Sequence, residues 1–351
     1  MRIGWKVSGS SGPSIELLSL VYLLSYLPYA LLTRWLASVP YRPLGRPLTG
    51  LEILPATTVL SGLLTYLFVW LSGWWREAHA SYVLGLRVPR PTRWTLLSGF
   101  GTALLLFTVS LSFTFTGVSI PYMQLLMRGD VLLVAPLVDL LLGRRVRWFS
   151  WAALVLVALG LALTIRARGA LSIPPLAVLT VALYTLGYLL RLLAMTRVAK
   201  SGDERSNKGY FVEEKLVAIP TALAALALIC TSRIGSQGDE LSFGFVRIWS
   251  SGQLGFLCVL SVLLFVISVL SLLILLDRRE NAFCVPFERS ASILAGVAAT
   301  YILASAGLSA GLTNAELTGA ALLILAVAGL SVAPRWTARS SATVGSRDAA
   351  I

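Results

Sequence analysis

Five ionisable side chains lie inside long apolar stretches: Arg128, Asp130 and Asp139 in one, Glu288 and Arg289 in another. A charge at the centre of a bilayer costs about 2.5–3.5 kcal/mol on insertion scales, so such a group faces a cavity or a partner. At about 100° per helical residue, Gln124 and Arg128 lie about 40° apart, and Asp139 falls about 20° from Arg128. These three share one face, flanked by Met123 and Met127. Asp130 points about 200° away from Arg128 and faces elsewhere. Arg128 has two readings: it lines a substrate cavity, or it pairs with a carboxylate on another helix.

The second stretch repeats the theme. Pro286 precedes Glu288 and Arg289, and Ser290 and Ser292 follow. The proline removes a backbone donor and kinks the helix or frees a carbonyl. Adjacent helical residues diverge by about 100°, so Glu288 and Arg289 are not expected to pair with each other. Tyr22, Tyr26 and Tyr29 recur at i, i+4 and i+7, as do Tyr184, Tyr188 and Arg191. A buried tyrosine hydroxyl needs a partner, which favours a cavity lining over an interfacial belt. Arg191 and Arg289 lie near helix ends, where snorkelling to the interface is the alternative reading. Three possible cavity arginines, Arg128, Arg191 and Arg289, against few candidate acids suggest an anionic substrate, because guanidinium binds carboxylate or phosphate as a two-pronged fork; the alternative is that Asp130, Asp139 and Glu288 neutralise all three. The candidate substrate-binding residues are therefore Tyr22, Tyr26, Gln124, Arg128, Tyr184, Tyr188 and Arg289. Asp130, Asp139 and Glu288 are candidates for a coupling proton or for structural ion pairs.

Catalytic chemistry finds less purchase. Asp130 and Asp139 are nine residues apart, about 13.5 Å along a helix and on opposite faces, so they cannot share a proton. The chain contains no HExxH or GxxxxGK[ST] element. The single histidine, His79, lies in a polar loop. Cys230, Cys258 and Cys284 are odd in number and without metal-ligand spacing, so buried unpaired thiols are expected. Neither an enzyme nor a resident metal or cofactor is expected. An intramembrane enzyme, or a scaffold or flippase-type accessory protein, is the alternative.

The elements that must position these residues follow from composition. Of 351 residues, 57% are hydrophobic and only 13% charged, and mean hydropathy is +0.81. A soluble domain carries about a quarter charged residues, so a soluble enzyme is excluded. The net charge of +13 is the mark of basic cytoplasmic loops rather than of a nucleic-acid partner. A bilayer core of about 30 Å needs roughly 20 apolar helical residues. Such runs fall at 15–37, 53–75, 94–116, 119–142, 148–166, 174–196, 212–231, 252–276, 282–306 and 314–333. The third and fourth are separated only by Gly117–Val118, a tight hairpin. In the connections and at the ends of the runs, eighteen Lys and Arg fall on the side of both termini and seven on the other, an excess that places both termini in the cytoplasm. Met1–Pro13 is polar, and the first apolar run is too long for a signal-peptide core and lacks a cleavage signal, so it is expected to stay in the chain.

The runs repeat in order at offsets of about 160 residues. Tyr22 and Tyr26 match Tyr184 and Tyr188. Glu52 and Pro55 match Glu214 and Pro220. Leu105-Leu106-Phe107 and Ser110 match Leu263-Leu264-Phe265 and Ser268. Arg128 matches Arg289, and Gly160 matches Gly329. Five spans per unit is odd, so the second unit enters the membrane from the opposite side, as in secondary transporters with a shared site at the midplane. The expected architecture is an all-α membrane protein of ten transmembrane helices in two inverted five-helix repeats. A cytoplasmic tail (1–14) precedes the first repeat (15–166), and the second repeat (174–333) is followed by a second tail (334–351).

With these features the chain resembles the drug/metabolite transporter superfamily, which includes EamA-type exporters and nucleotide-sugar and triose-phosphate carriers. The resemblance is carried by Tyr122–Leu163, where an Arg-bearing span runs into Leu141-Leu142-Gly143, a basic turn, and Trp151 through Gly160. Its second-half counterpart is Phe283–Ser331, with Gly319 and Gly329. The family often has Gly-Glu after the fourth span, where this chain has Gly143-Arg144, and the second half reads Ser305-Ala-Gly-Leu-Ser. The resemblance implies a secondary transporter moving a small metabolite, anionic by the arginine argument, by alternating access. The lipid bilayer and the substrate are the expected partners, and a second copy of the chain is a candidate one. The compact loops and Ala/Leu/Arg-rich composition suggest the cytoplasmic membrane of a bacterium.

Overall fold

The structure, a computed structural model, describes residues 14–83, 86–112, 115, 120–168, 174–199, 204–232, 235–277, 279, 281–308, 313–322, 324–326 and 329. Gly117–Val118 and both expected tails lie outside the described residues, save Ser14. Ten helices run in chain order: α1 Ile15–Leu36, α2 Gly50–Ser72, α3 Arg93–Ser112, α4 Ile120–Leu141 and α5 Trp148–Arg168. They continue as α6 Pro175–Val198, α7 Glu204–Ser232, α8 Gly235–Phe245, α9 Leu254–Leu275 and α10 Asn281–Ser305. A shorter apolar helix, α11, spans Asn314–Ala326. Among the described residues six of these, α1, α2, α3, α6, α7 and α9, are long and apolar enough to cross a membrane. The coarse expectation of a helical membrane protein therefore holds.

Local chemistry sets the helix ends. The Ser14 side chain accepts the Leu17 N–H at the start of α1. Thr49 and Glu52 form a reciprocal capping box at the start of α2, and Gly73 ends α2 in the left-handed conformation at φ 75°. Within the helices, hydroxyls that lack water turn back onto the carbonyl one turn earlier, as Thr33 does to Tyr29 and Thr65 to Ser61. The polarity is inverted relative to a soluble bundle. On α9, Ser261 and Ser271 are buried while Phe256, Val259, Val262 and Leu273 are exposed. Apolar side chains facing outward around buried polar ones suit a hydrocarbon solvent.

Three differences from the expected spans have physical causes. Helix α7 begins at Glu204 rather than near 212. Its polar first turns are held by an Arg205–Glu77 ion pair at 2.7 Å and by Gly209, whose missing Cβ lets the backbone approach Glu77. The loop after α2 holds an antiparallel hairpin, β1 Ala80–Val83 with β2 Leu86–Pro89, pairing Tyr82 with Arg87. The connection before α9 is not plain loop. It contains α8, anchored by the Thr49 hydroxyl donating to Glu240 at 2.6 Å and by Gly244 lying against the Glu52 carbonyl. Of the three cysteines only Cys284 is buried; Cys258 is exposed on α9 and Cys230 half-buried.

Helix α3 packs against α6 and α7, α1 against α9 and α10, α2 against α8 and α9, and α4 against α6 and α10. Backbones touch where glycines meet: Gly101 of α3 against Gly187 of α6, and Gly160 of α5 against Gly319 of α11.

Candidate functional site

A cavity lined by both apolar and charged or hydroxyl side chains opens between α1, α3, α6, α7, α9 and α10. The centre of a water molecule can reach about 80 Å3 of it, room for several waters or a small solute. Helix α1 supplies Tyr22 and Tyr26, α3 supplies Thr102 and Leu105, and α6 supplies Tyr184 and Arg191. Lys215 comes from α7, Leu264, Ile267 and Ser271 from α9, and Glu288 and Arg289 from α10.

The tyrosines stack as their helical spacing requires. Tyr22 and Tyr26 have ring centres 5.4 Å apart, and Tyr26 and Tyr29 5.7 Å apart, the latter edge-on. Tyr184 and Tyr188 are stacked at 6.3 Å. The Arg289 guanidinium lies over the Tyr188 ring at 4.0 Å and donates to the Tyr184 hydroxyl. Arg289 is buried and lines the cavity.

Glu288 and Arg289 do pair, contrary to the expectation from their 100° divergence. Arg289 Nη2 is 3.2 Å from Glu288 Oε2. The divergence holds at Cβ, but the arginine stem is long enough to curl back toward its neighbour. Glu288 Oε2 also accepts from the Tyr188 hydroxyl at 3.1 Å, and Oε1 accepts from Ser271.

Ser271 in turn accepts from Arg191 Nη1 at 3.4 Å. Arg191 Nε lies 3.3 Å from Glu214 Oε1, and Lys215 Nζ lies 3.5 Å from the same oxygen. Glu214 further accepts from Thr102 at 2.8 Å and Ser98 at 3.2 Å. A continuous polar chain therefore runs from Arg289 through Glu288, Ser271, Arg191 and Glu214 to Lys215. Among the described residues it holds three cations and two carboxylates, all buried. Coulomb attraction is strong at low dielectric, so the alternation of sign is what makes their burial tolerable.

Arg191, expected near a helix end as a candidate for snorkelling, is instead enclosed within this polar chain. Glu214 was legible only as a repeat mark, and Lys215 as a residue near a span start. Because α7 begins at Glu204, both sit three turns inside the helix. Glu52, matched to Glu214 by sequence offset, lies instead in the first turn of α2, where it holds Arg46 at 2.6 Å.

Asp139 does not reach the cavity. It is buried beneath the end of α4, accepts from Asn281 Nδ2 at 2.8 Å and lies 3.6 Å from Arg144 Nη1. Of its two candidate roles, the geometry is that of an ion pair. The side chains of Gln124, Arg128 and Asp130 lie outside the described residues. His79 is mostly exposed and its ring Nδ1 meets Glu213 Oε1 at 2.7 Å; Glu213 also accepts the His79 N–H and the Thr95 hydroxyl, tying the hairpin to α7.

No family model matches the chain, and no curated protein matches it. A solved structure described only as a crystal structure of a protein superposes with a TM-score of 0.51. The match covers 92% of this chain and 98% of that one at 17% identity. At that identity the likeness is one of fold.

Proposed function

We propose that the protein is a secondary transporter that moves a small organic anion by alternating access. In this reading ten spans form two inverted five-helix halves, α1–α5 (15–166) and α6, α7, α9, α10 and α11 (174–333). Both termini are cytoplasmic, in the inner membrane of a bacterium. No catalytic step or cofactor is required, and the chain belongs with EamA-like drug/metabolite transporters.

The helix packing supports the repeat. If α1, α2, α3 and α4 correspond to α6, α7, α9 and α10, the α1·α9 contact should have a mate in α6·α3. Likewise α1·α10 should be mated by α6·α4, and α3·α7 by α9·α2. All six packings occur. Tyr22 and its match Tyr184 both line the cavity, as a shared site at the repeat interface requires.

The observation that carries the function is the charge of that cavity. Among the described residues of the cavity and the polar chain behind it, the buried Arg191, Lys215 and Arg289 outnumber the buried Glu214 and Glu288 by one. A surplus of that sign attracts an anion. The apolar wall of Leu105, Leu264 and Ile267 suits a carboxylate with an apolar or aromatic body. Proteoliposomes loaded with radiolabelled benzoate, succinate or lactate test the reading. Protein-dependent flux that saturates and is competed by unlabelled acid is the expected result; flux no faster than from empty liposomes would turn the assignment toward a scaffold or accessory role.

A further inference from the structure

The Arg289 guanidinium is only half used on one edge. Nε and Nη2 belong to the same edge of the planar group and can grip a carboxylate with two parallel bonds. Nη2 faces Glu288 Oε2 at 3.2 Å, whereas Nε is buried with no hydrogen-bond partner among the described residues. Glu288 sits next to Arg289 in the same helix and occupies one prong of a two-prong edge. Its remaining bonds go elsewhere, to Tyr188 and Ser271.

The geometry points to Glu288 as a built-in competitor for Arg289, which the carboxylate of an organic acid displaces while Glu288 takes up one proton. This deepens the anion-transport reading and rests on its anion-binding part. An incoming carboxylate gains both prongs where Glu288 has one. Displaced, Glu288 loses the one ion pair it makes among the described residues and stays buried. A carboxylate left in that state neutralises itself by protonation rather than remain charged. The balance is simple: the Glu288–Arg289 ion pair, one external carboxylate and one proton become a substrate–Arg289 ion pair and a neutral Glu288 acid. No bond other than Glu288 O–H forms, and the charge of the cavity is unchanged. Acid and proton then move together without net charge.

The groups facing Glu288 are compatible with this exchange. From α6 come Tyr188 and Arg191, the latter through Ser271 of α9. From α10 itself comes Arg289, which also meets Tyr184. Helix α1 brings Tyr22 and α7 brings Lys215 to the same cavity. On α4, Asp139 is engaged by Asn281, away from Glu288, and the Arg128 side chain lies outside the described residues. Ser271 and Tyr188 hydroxyls can rotate to accept as well as donate, so a protonated Glu288 keeps its partners.

Calorimetry on the purified full-length protein tests this, with benzoate, lactate and succinate as probes in buffers of differing ionisation enthalpy. Near neutral pH we expect close to one proton taken up per carboxylate bound, and affinity falling about tenfold per pH unit as pH rises. Glu288→Gln should bind benzoate with no proton uptake and no pH dependence. In proteoliposomes it should still exchange benzoate but no longer accumulate it under a pH gradient. Wild-type binding without proton uptake overturns the proposal. So does loss of benzoate binding in a Glu288→Gln protein with an unchanged melting temperature. If that variant does not fold, the wild-type proton count alone decides. Binding with proton uptake but no liposome flux sinks the transport reading and leaves the competition standing. Failure of all three acids to bind sinks both.

Discussion

Gly101 of α3 and Gly187 of α6 cross backbone to backbone, so closely that neither position has room for a methyl group. A Cβ on Gly101 would sit 2.5 Å from the Gly187 carbonyl oxygen, and one on Gly187 would sit 2.6 Å from the Gly101 carbonyl. The crossing brings Thr102 and Leu105 on one helix level with Tyr184, Tyr188 and Arg191 on the other. Because the obstacle is backbone, it cannot rotate away. Gly101→Ala is therefore expected to lower stability by about 1–3 kcal/mol, read as a drop in melting temperature of the purified protein. Gly255→Ala, on α9 with nothing within 4 Å, is the control and should be neutral or slightly stabilising. Equal effects at both sites would mean the α3–α6 crossing is looser than described.

Helices were the most legible part of the chain. A run of apolar residues long enough to span a bilayer leaves the backbone one way to satisfy its hydrogen bonds, and α1, α2 and α9 fall within a few residues of expectation. What was hidden depended on tertiary contact. The polar start of α7 is helical because Glu77 and the hairpin hold it, and hydropathy cannot register that. The i, i+4, i+7 tyrosines of α1 were readable because helical geometry alone aligns them. The pairing of Glu288 with Arg289 was not, because angles at Cβ ignore the reach of a long side chain. The importance of Glu214 was likewise concealed: its partners Arg191, Thr102 and Ser98 come from two other helices and carry no local signature.

Glu214 is the counterion for two buried cations, Arg191 at 3.3 Å and Lys215 at 3.5 Å. Removing one partner of a buried ion pair leaves an uncompensated charge and costs about 3–5 kcal/mol. Glu214→Gln should lose stability on that scale. The double variant Glu214→Gln with Lys215→Met removes one cation as well and should recover part of the loss. Chemical or thermal unfolding in detergent makes the comparison. A double variant no better than the single would show that the two charges are not coupled.

Asp139 separates structure from transport. It joins α4 to Asn281 of α10, and Asn281 reaches on to Thr196 of α6 at 2.8 Å. Asp139→Ala should cost about 1–3 kcal/mol by leaving buried donors unmet. Benzoate affinity, and the protons taken up with it, should stay within about twofold of wild type, because the residue lies off the cavity. A change in proton uptake would make Asp139 a coupling group after all.

Arg289 holds three contacts at once: the Tyr188 face at 4.0 Å, the Tyr184 hydroxyl, and Glu288. Lysine keeps the charge but lacks the planar fork and stacks less well. Arg289→Lys is therefore expected to weaken benzoate binding by at least about tenfold, equivalent to about 1.4 kcal/mol. Tyr188→Phe keeps the ring under the guanidinium and removes only the hydroxyl that donates to Glu288. It should retain most of the affinity, because the cation still lies over an aromatic face. Side-by-side titration calorimetry of the two variants decides the matter. If lysine substitutes fully at 289, binding depends on net charge alone, and the guanidinium edge with its open Nε has no special role.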